Sequence, residues 1–385
     1  MSARKICVVV TARPSYARIK TVLEAIRDHP GLELQLIVGA SALLERYGPA
    51  IDVIRADGFQ PDAVVYMVVE GENLVTTAKS TGLGVVELAT IFDNLRPDAV
   101  ISVADRYETI ATAIAASYLN IPVAHVLGGE VTGSIDEKVR HAVTKLANLH
   151  FVANQQAADR VIRMGEDPDA VFVTGCPSVD LAARVMAEPE DGFNPFERYA
   201  GVGHEFDLDA GYVVVMQHPV TTEYEDAAEQ IKETVAAAEE LRSATFWFWP
   251  NVDAGSDHIS KGLRVFRETH DLPFLYFFKN LAPEDFLRLL RRAQCLIGNS
   301  SVGIREAAHM GVPVVNIGTR QSGRDRGPNV LDVPHDRDAI VEAVRKHLAN
   351  GPCPRSSLYG DGRAGERIAG LLAEQPLRIE KRIRY

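Results

Sequence analysis

Ile6-Cys-Val-Val-Val10 runs into Thr11-Ala-Arg-Pro-Ser-Tyr16, and then into a stretch whose apolar residues Ile19, Val22, Leu23 and Ile26 recur at i, i+3, i+4 and i+7. A short β-branched run predicts a strand buried on both faces, and the 3.6-residue period after it predicts a helix with one apolar stripe. Pro14 fits the first turn of that helix, where its missing N–H would have had no partner. The connecting turn has no GxGxxG, so a dinucleotide site is not indicated.

The same alternation continues outward from this unit. Strands are predicted at Leu34–Val38, Ala99–Val103, Pro122–Val126, His150–Ala153 and Val171–Thr174. Loop-forming residues then interrupt the periodicity over 187–204, which reads as a linker. A second series follows at Tyr212–Met216, Thr245–Trp249, Phe274–Phe277, Cys295–Ile297 and Pro313–Asn316. Alternating strands and helices give parallel βαβ units covered on both faces. The fold class is therefore α/β, with two Rossmann-like αβα domains, 1–180 and 181–364. Ligands of such sheets sit outside the carboxyl ends of the strands.

Composition narrows the function classes. The 385 residues are 46% hydrophobic and 24% charged with a net charge of −11, an ordinary globular make-up that argues against nucleic-acid binding through a broad basic face. The four cysteines (Cys7, Cys176, Cys295, Cys353) contain no CxxC pair, so neither a zinc knuckle nor a disulfide framework is signalled. Ile6–Val10 is too short for a signal-peptide core, and Ile110–Val126 is broken by Asn120 and Pro122. These features predict a cytoplasmic protein with no membrane segment.

Polar residues cluster where the predicted strands end. Arg13 stands beside the first helix N-terminus, whose free N–H groups attract anions; a surface arginine at a turn would look the same. Asp105 and Arg106 follow the strand Ala99–Val103, and a capping aspartate with its partner would also fit there. The densest stretch runs from His125 to His141, with Gly128, Gly129 and Gly133 allowing close backbone approach and Glu130, Asp136 and Glu137 gathering carboxylates. Asp136 with Arg140, and Glu137 with His141, are i, i+4 neighbours. Crowded carboxylates are acid/base candidates. His125, Glu130 and His141 lack HExxH spacing, so no metal is predicted.

In the second half, Gln217-His218-Pro219 and Pro250-Asn251 with Ser256 end two strands. Gly298-Asn299-Ser300-Ser301 reads as strand, turn and helix, with the serines at the helix start and Glu306 one turn in. Serine hydroxyls and terminal N–H groups can cradle a phosphate, and Arg320, Arg324 and Arg326 add planar donors suited to it.

Taken together, Arg13, Asp105-Arg106, GGExxGxxDExxRHAxTK (Gly128–Lys145), GCPSxD (Gly175–Asp180), QHPVTT, PNxDAGS, GNSSxGxREA and GTRQxGR resemble the hydrolysing UDP-N-acetylglucosamine 2-epimerases of the sialic-acid pathway type. The resemblance implies a GT-B-like arrangement of the two domains facing a central cleft, with a C-terminal helix within 365–385 returning to the first domain. It implies release of N-acetylmannosamine and UDP, by anti-elimination to 2-acetamidoglucal and rehydration, without a cofactor. Asp105, Glu130 and Asp136 would supply the acid/base chemistry. Arg13, His218, Asn251, Ser300, Ser301, Glu306 and Arg320 would line the nucleotide side, and Arg106 would hold the sugar-phosphate. Glu137, Arg140 and Ser256 join the binding set, and His218 the catalytic one.

Two positions depart from the family pattern. Ala104 replaces the glycine usual before Asp-Arg, and Leu127 replaces a residue that is polar in some relatives. A related UDP- or GDP-linked sugar, such as a 2,4-diacetamido-trideoxyhexose for legionaminic acid, is the alternative substrate, and a GT-B glycosyltransferase the alternative class. A homo-oligomer, dimer or tetramer, is expected.

Overall fold

The computed structural model describes residues 3–44, 50–70, 74–103, 106–132, 136–189, 192–220, 222–250, 256–269 and 272–384, without the side chains of 224, 256–258 and 269. The chain divides into two compact units, one of residues 1–130, 135–180 and 359–385, the other of 131–134 and 181–358.

In the first unit, the predicted opening strand and helix are β1 (Arg4–Val10) and α1 (Arg13–Asp28). Ile19, Val22, Leu23 and Ile26 are fully buried, as their period requires. There follow β2 (Leu32–Gly39), α2 (Ala50–Ala56), β3 (Ala63–Val65), α3 (Leu74–Leu95), β4 (Ala99–Val103), α4 (Thr109–Tyr118), β5 (Val123–Val126), α5 (Asp136–Leu146), β6 (Leu149–Val152), α6 (Gln155–Arg163) and β7 (Val171–Val173). All seven strands pair in parallel, in the order β3-β2-β1-β4-β5-β6-β7. The order reverses between β1 and β4, the kind of switch point where open α/β sheets bind ligands.

The helix α7 (Pro177–Ala187) contains the division at residue 180. Beyond it lie α8 (Pro195–Arg198), β8 (Gly201–Gly203), β9 (Val213–Met216), α9 (Ala227–Leu241), β10 (Thr245–Phe248), α10 (Ser256–Thr269), β11 (Leu275–Phe278), α11 (Pro283–Arg291), β12 (Cys295–Gly298), α12 (Glu306–Met310), β13 (Val314–Ile317), β14 (Val330–Val333) and α13 (Arg337–Asn350). The second sheet runs β14-β13-β12-β9-β10-β11-β8 and reverses between β9 and β12. Its central strands β9, β10 and β11 are apolar because both faces are covered. Val213, Val215 and Trp247 enter one core layer, and Val214, Phe246 and Phe248 the other.

The stretch read as a linker holds α8 and β8, and β8 joins the sheet edge antiparallel to β11. Its Gly-Val-Gly has no alternation to signal a strand. The edge strands β3 and β14 were likewise unpredicted.

The last helix, α14 (Ala364–Glu374), belongs to the first unit. Asp180 anchors it: one carboxylate oxygen accepts from the Ala364 N–H at 2.9 Å, the other from the Gly365 N–H at 2.7 Å and from the Thr21 hydroxyl at 3.0 Å. This explains the final residue of GCPSxD. Its glycine, Gly175, sits at φ +91°, and a Cβ there would come within 3.2 Å of the Gly360 Cα.

Past α14 the chain is strapped along the same unit. The Lys381 ammonium donates to the Thr144 and Ala147 carbonyls at the end of α5 and pairs with Glu166. Arg384 donates through its N–H to the Gly165 carbonyl and pairs with Asp167 at 2.8 Å. Among the described residues no helix is long and apolar enough to cross a membrane.

Candidate active site

The polar residues singled out from the sequence stand beyond the carboxyl ends of neighbouring strands in each unit. In the first, β1 leads to Arg13, β4 to Arg106, and β5 to Glu130 and α5. Asp105 and Ala104 lie outside the described residues.

At the N-terminus of α1, Ala12 is extended and makes no side-chain cap, and no acidic residue occupies the first turn. The Thr11 and Ser15 hydroxyls are buried there without a hydrogen-bond partner in the structure. The helix N-terminus, the two buried hydroxyls and Arg13 are donors of a kind suited to an anion.

Arg106 is held from below. Its Nε lies 3.3 Å from Glu108, a fully buried carboxylate, and its backbone carbonyl accepts from the N–H and hydroxyl of Thr109 at 2.9 and 2.7 Å. The guanidinium lies over the Tyr107 ring, 5.9 Å from its centroid. The sequence reading did not single out Glu108; an acid two residues from a strand-end arginine was the available signal.

At the end of β5 the backbone turns sharply. Leu127 has φ +69° and Gly129 φ +73°; a side chain at Gly129 would place its Cβ 2.2 Å from the Ala157 carbonyl oxygen. The turn delivers a buried Glu130, whose carbonyl accepts from Arg140 at 2.8 Å. Arg140 is wholly buried and also pairs with Glu137 at 3.0 Å. Glu137 in turn meets His141 Nε2 at 2.8 Å, the i, i+4 bond its spacing anticipates. Asp136 and Glu137 form the first turn of α5, where the helix dipole favours carboxylates. His125 is buried, with its Nδ1 3.2 Å from the Thr144 hydroxyl.

In the second unit Asn299 is a hub. Its side chain accepts from the His218 N–H and donates to the His218 carbonyl, both at 2.8 Å, which ties the end of β9 to that of β12. Its own carbonyl accepts from Arg320 at 3.2 Å and Gln321 at 2.8 Å, which adds the loop after β13. The sequence reading passed over Asn299 and Gln321, since amides carry no charge to attract notice.

The expectation that the serines open a helix is corrected. Ser300 and Ser301 form a turn, with their carbonyls accepting from Gly303 and Ile304 at 3.1 Å, and the regular helix α12 begins at Glu306. Gly303 packs so closely on Val314 and Leu296 that the turn lies flat against the strands. One carboxylate oxygen of Glu306 is buried with no hydrogen-bond partner in the structure. Arg326 braces the loop, donating to the Arg324 and Gln321 carbonyls and pairing with Asp332 at 2.8 Å. Asn251 lies outside the described residues, as does the side chain of Ser256. Among the described residues no cluster of His, Cys, Asp and Glu is arranged to hold a metal ion.

Two Rossmann-like units, each collecting arginine, serine and carboxylate side chains beyond its strand ends, define a protein of the GT-B-like class that handles phosphorylated small molecules. The family model described as UDP-N-acetylglucosamine 2-epimerase matches residues 24–373, and the chain belongs to that family. It is 34% identical, over 97% of both chains, to a hydrolysing UDP-N,N'-diacetylbacillosamine 2-epimerase of Legionella pneumophila. It is 29% identical to a UDP-N-acetylglucosamine 2-epimerase of Neisseria meningitidis, over 96% of this chain and 95% of the other. In fold it matches the crystal structure of a UDP-GlcNAc 2-epimerase from Neisseria meningitidis bound to UDP-GlcNAc, with a TM-score of 0.78 and 16% identity over 96% of this chain and all of that one. The protein is an enzyme of the nucleotide-sugar 2-epimerase type.

Proposed function

We propose that the protein hydrolyses UDP-N-acetylglucosamine with inversion at C2, releasing N-acetylmannosamine and UDP. The observation that carries this reading is the arrangement beyond β5: a buried carboxylate, Glu130, fixed through its backbone by a fully buried Arg140 that also holds Glu137 in the first turn of α5. In the first step a carboxylate takes the C2 proton while the bond from C1 to the UDP oxygen breaks, leaving 2-acetamidoglucal and UDP. In the second, water adds its hydroxyl to C1 and a proton reaches C2 from the opposite face. Glu130, Asp136 and Asp105 are the proton carriers in this scheme, and His218 is a further candidate.

The phosphates must be held as charge develops on them. Arg13 with the open N-terminus of α1, Arg106 braced by Glu108, and Ser300, Ser301 and Arg320 supply donors of the required kind. The unpaired oxygen of Glu306 can accept from ribose hydroxyls.

A second substrate, the UDP-linked 2,4-diacetamido-trideoxyhexose, is favoured by one feature. The relative that shares 34% identity over 97% of both chains is named as a hydrolysing UDP-N,N'-diacetylbacillosamine 2-epimerase. UDP release from the two nucleotide sugars, assayed without an acceptor, decides between them by kcat/KM. In deuterated water the free manno product should carry deuterium at C2, and Glu130→Gln should lower kcat by ~10²-fold or more. Protium at C2, or a product still linked to UDP, would overturn the reaction.

A further inference from the structure

Two elements deliver the carboxylates beyond β5: β5 itself, which leads to the turn carrying Glu130, and α5, whose first turn holds Asp136 and Glu137. Asn148 joins the far ends of both. Its N–H donates to the Val123 carbonyl at 2.7 Å, and its side-chain oxygen accepts from the Val123 N–H at 3.0 Å. The side-chain nitrogen of the same residue donates to the Ile379 carbonyl of the C-terminal strap at 3.1 Å. Two residues along the strap, the Lys381 ammonium donates to the Thr144 carbonyl at 2.9 Å and to the Ala147 carbonyl.

The ammonium is well matched to this place. The last carbonyls of a helix have no partner within it, and a cation there also meets the negative end of the helix dipole. Glu166 is its third partner, a buried carboxylate that Lys145 and His150 hold as well.

From this end of α5 a path of bonds returns to the acids. The Thr144 hydroxyl donates to the Arg140 carbonyl at 3.0 Å and lies 3.2 Å from His125 Nδ1 in β5. Arg140 then reaches the Glu130 carbonyl at 2.8 Å and Glu137 at 3.0 Å. Thr144, His125 and Arg140 are all wholly buried. Groups packed at interior density have no slack to absorb a shift, so they pass it on.

We propose that Lys381 is a positioning residue, which fixes the end of α5 through the Thr144 carbonyl and so sets the placement of Arg140, Glu137 and Glu130 for the reaction. This rests on the proposed role of those carboxylates. A misplacement of about 1 Å far from the chemistry can cost ~10²-fold in rate, whereas the donors proposed for the phosphates lie on other loops.

The test uses the full chain and whichever of the two nucleotide sugars the wild type turns over. Lys381→Met should lower kcat ~10-fold or more while KM and UDP affinity stay within ~3-fold. Lys381→Arg, which keeps a cation with donors for both carbonyls, should recover most of the lost rate. Thr144→Val removes the hydroxyl between Arg140 and His125 with the strap intact; it should reproduce the loss of kcat, and it carries the test if Lys381→Met does not fold. Arg384→Ala breaks the strap's pair with Asp167, off α5, and should leave kcat unchanged. Amide exchange, which needs no substrate, should quicken in Lys381→Met over residues 140–144 as well as beyond them. A KM that rises as far as kcat falls, no recovery with arginine, an undiminished kcat in Thr144→Val, or faster exchange confined to residues 145–150 would each overturn the proposal. A wild type that turns over neither nucleotide sugar would refute the proposed reaction instead, and the exchange pattern would then decide the positioning by itself.

Discussion

At the scale of single residues, Arg140 shows how much of the candidate site depends on one side chain. It is fully buried, and its contacts to the Glu130 carbonyl and the Glu137 carboxylate are the bonds that set these two acids in place. Replacing it with methionine keeps the bulk but takes one donor from the Glu130 carbonyl and one from the Glu137 carboxylate, which keeps its bond to His141. A hydrogen bond to a charged group contributes about 1.5–3 kcal/mol. Arg140→Met should therefore lower the denaturation midpoint in urea, with a loss of turnover that exceeds its effect on UDP affinity. An unchanged midpoint would show that Glu137 and Glu130 hold their places without it.

Elements give a second set of expectations. Asp180 caps α14 from a different helix, bonding its first two N–H groups and the Thr21 hydroxyl of α1. Loss of a capping carboxylate costs about 0.5–2 kcal/mol. Asp180→Ala should destabilise the protein by that amount, and amide hydrogen exchange should speed up first in α14. The strap beyond that helix is sensitive to acid. Burial works to raise the Glu166 carboxyl, but hydrogen bonds from His150, Lys145 and Lys381 prevail and lower it to about 2. Its contribution is full above the ordinary carboxylate value and is lost as pH falls through about 2. The stability gap between wild type and Glu166→Gln should thus be constant above pH ~5 and narrow steadily below pH ~4. Burial lowers the His150 imidazole, which matches its Nδ1 having no hydrogen-bond partner in the structure: the neutral ring carries its proton on Nε2, towards Glu166.

How far these elements could be read beforehand depended on their patterning. Central strands such as Ala99–Val103 announced themselves as apolar, β-branched runs, and their observed ends agree within one or two residues. The edge strands β3, β8 and β14 did not, because a strand paired on one side needs only three or four residues and tolerates glycine and aspartate. The charged members of the candidate site were visible as strand-end clusters. Asn299, Gln321 and Glu108 were not, because their importance lies in bonds to backbone and side chains distant in sequence or hidden from solvent. The GCPSxD motif was visible as a pattern, but its meaning depended on a helix almost two hundred positions away.

Over the whole molecule, both sheets reverse their strand order at the place where the polar residues emerge, β1 against β4 in one and β9 against β12 in the other. The first unit is also discontinuous, since residues 359–385 complete what residues 1–180 begin. During synthesis, α1 leaves the ribosome long before the helix that covers it. At about 5–20 residues per second, the segment between Asp180 and Tyr359 takes roughly 10–35 s to translate. Throughout that interval the nascent first unit presents the bare groove of α1 and an Asp180 with no helix to cap, and the second unit gains its last residues only as the interval ends. The first unit is therefore the last to be completed although it is the first to be begun, and the groove awaiting α14 is the surface a chaperone would find on the growing chain.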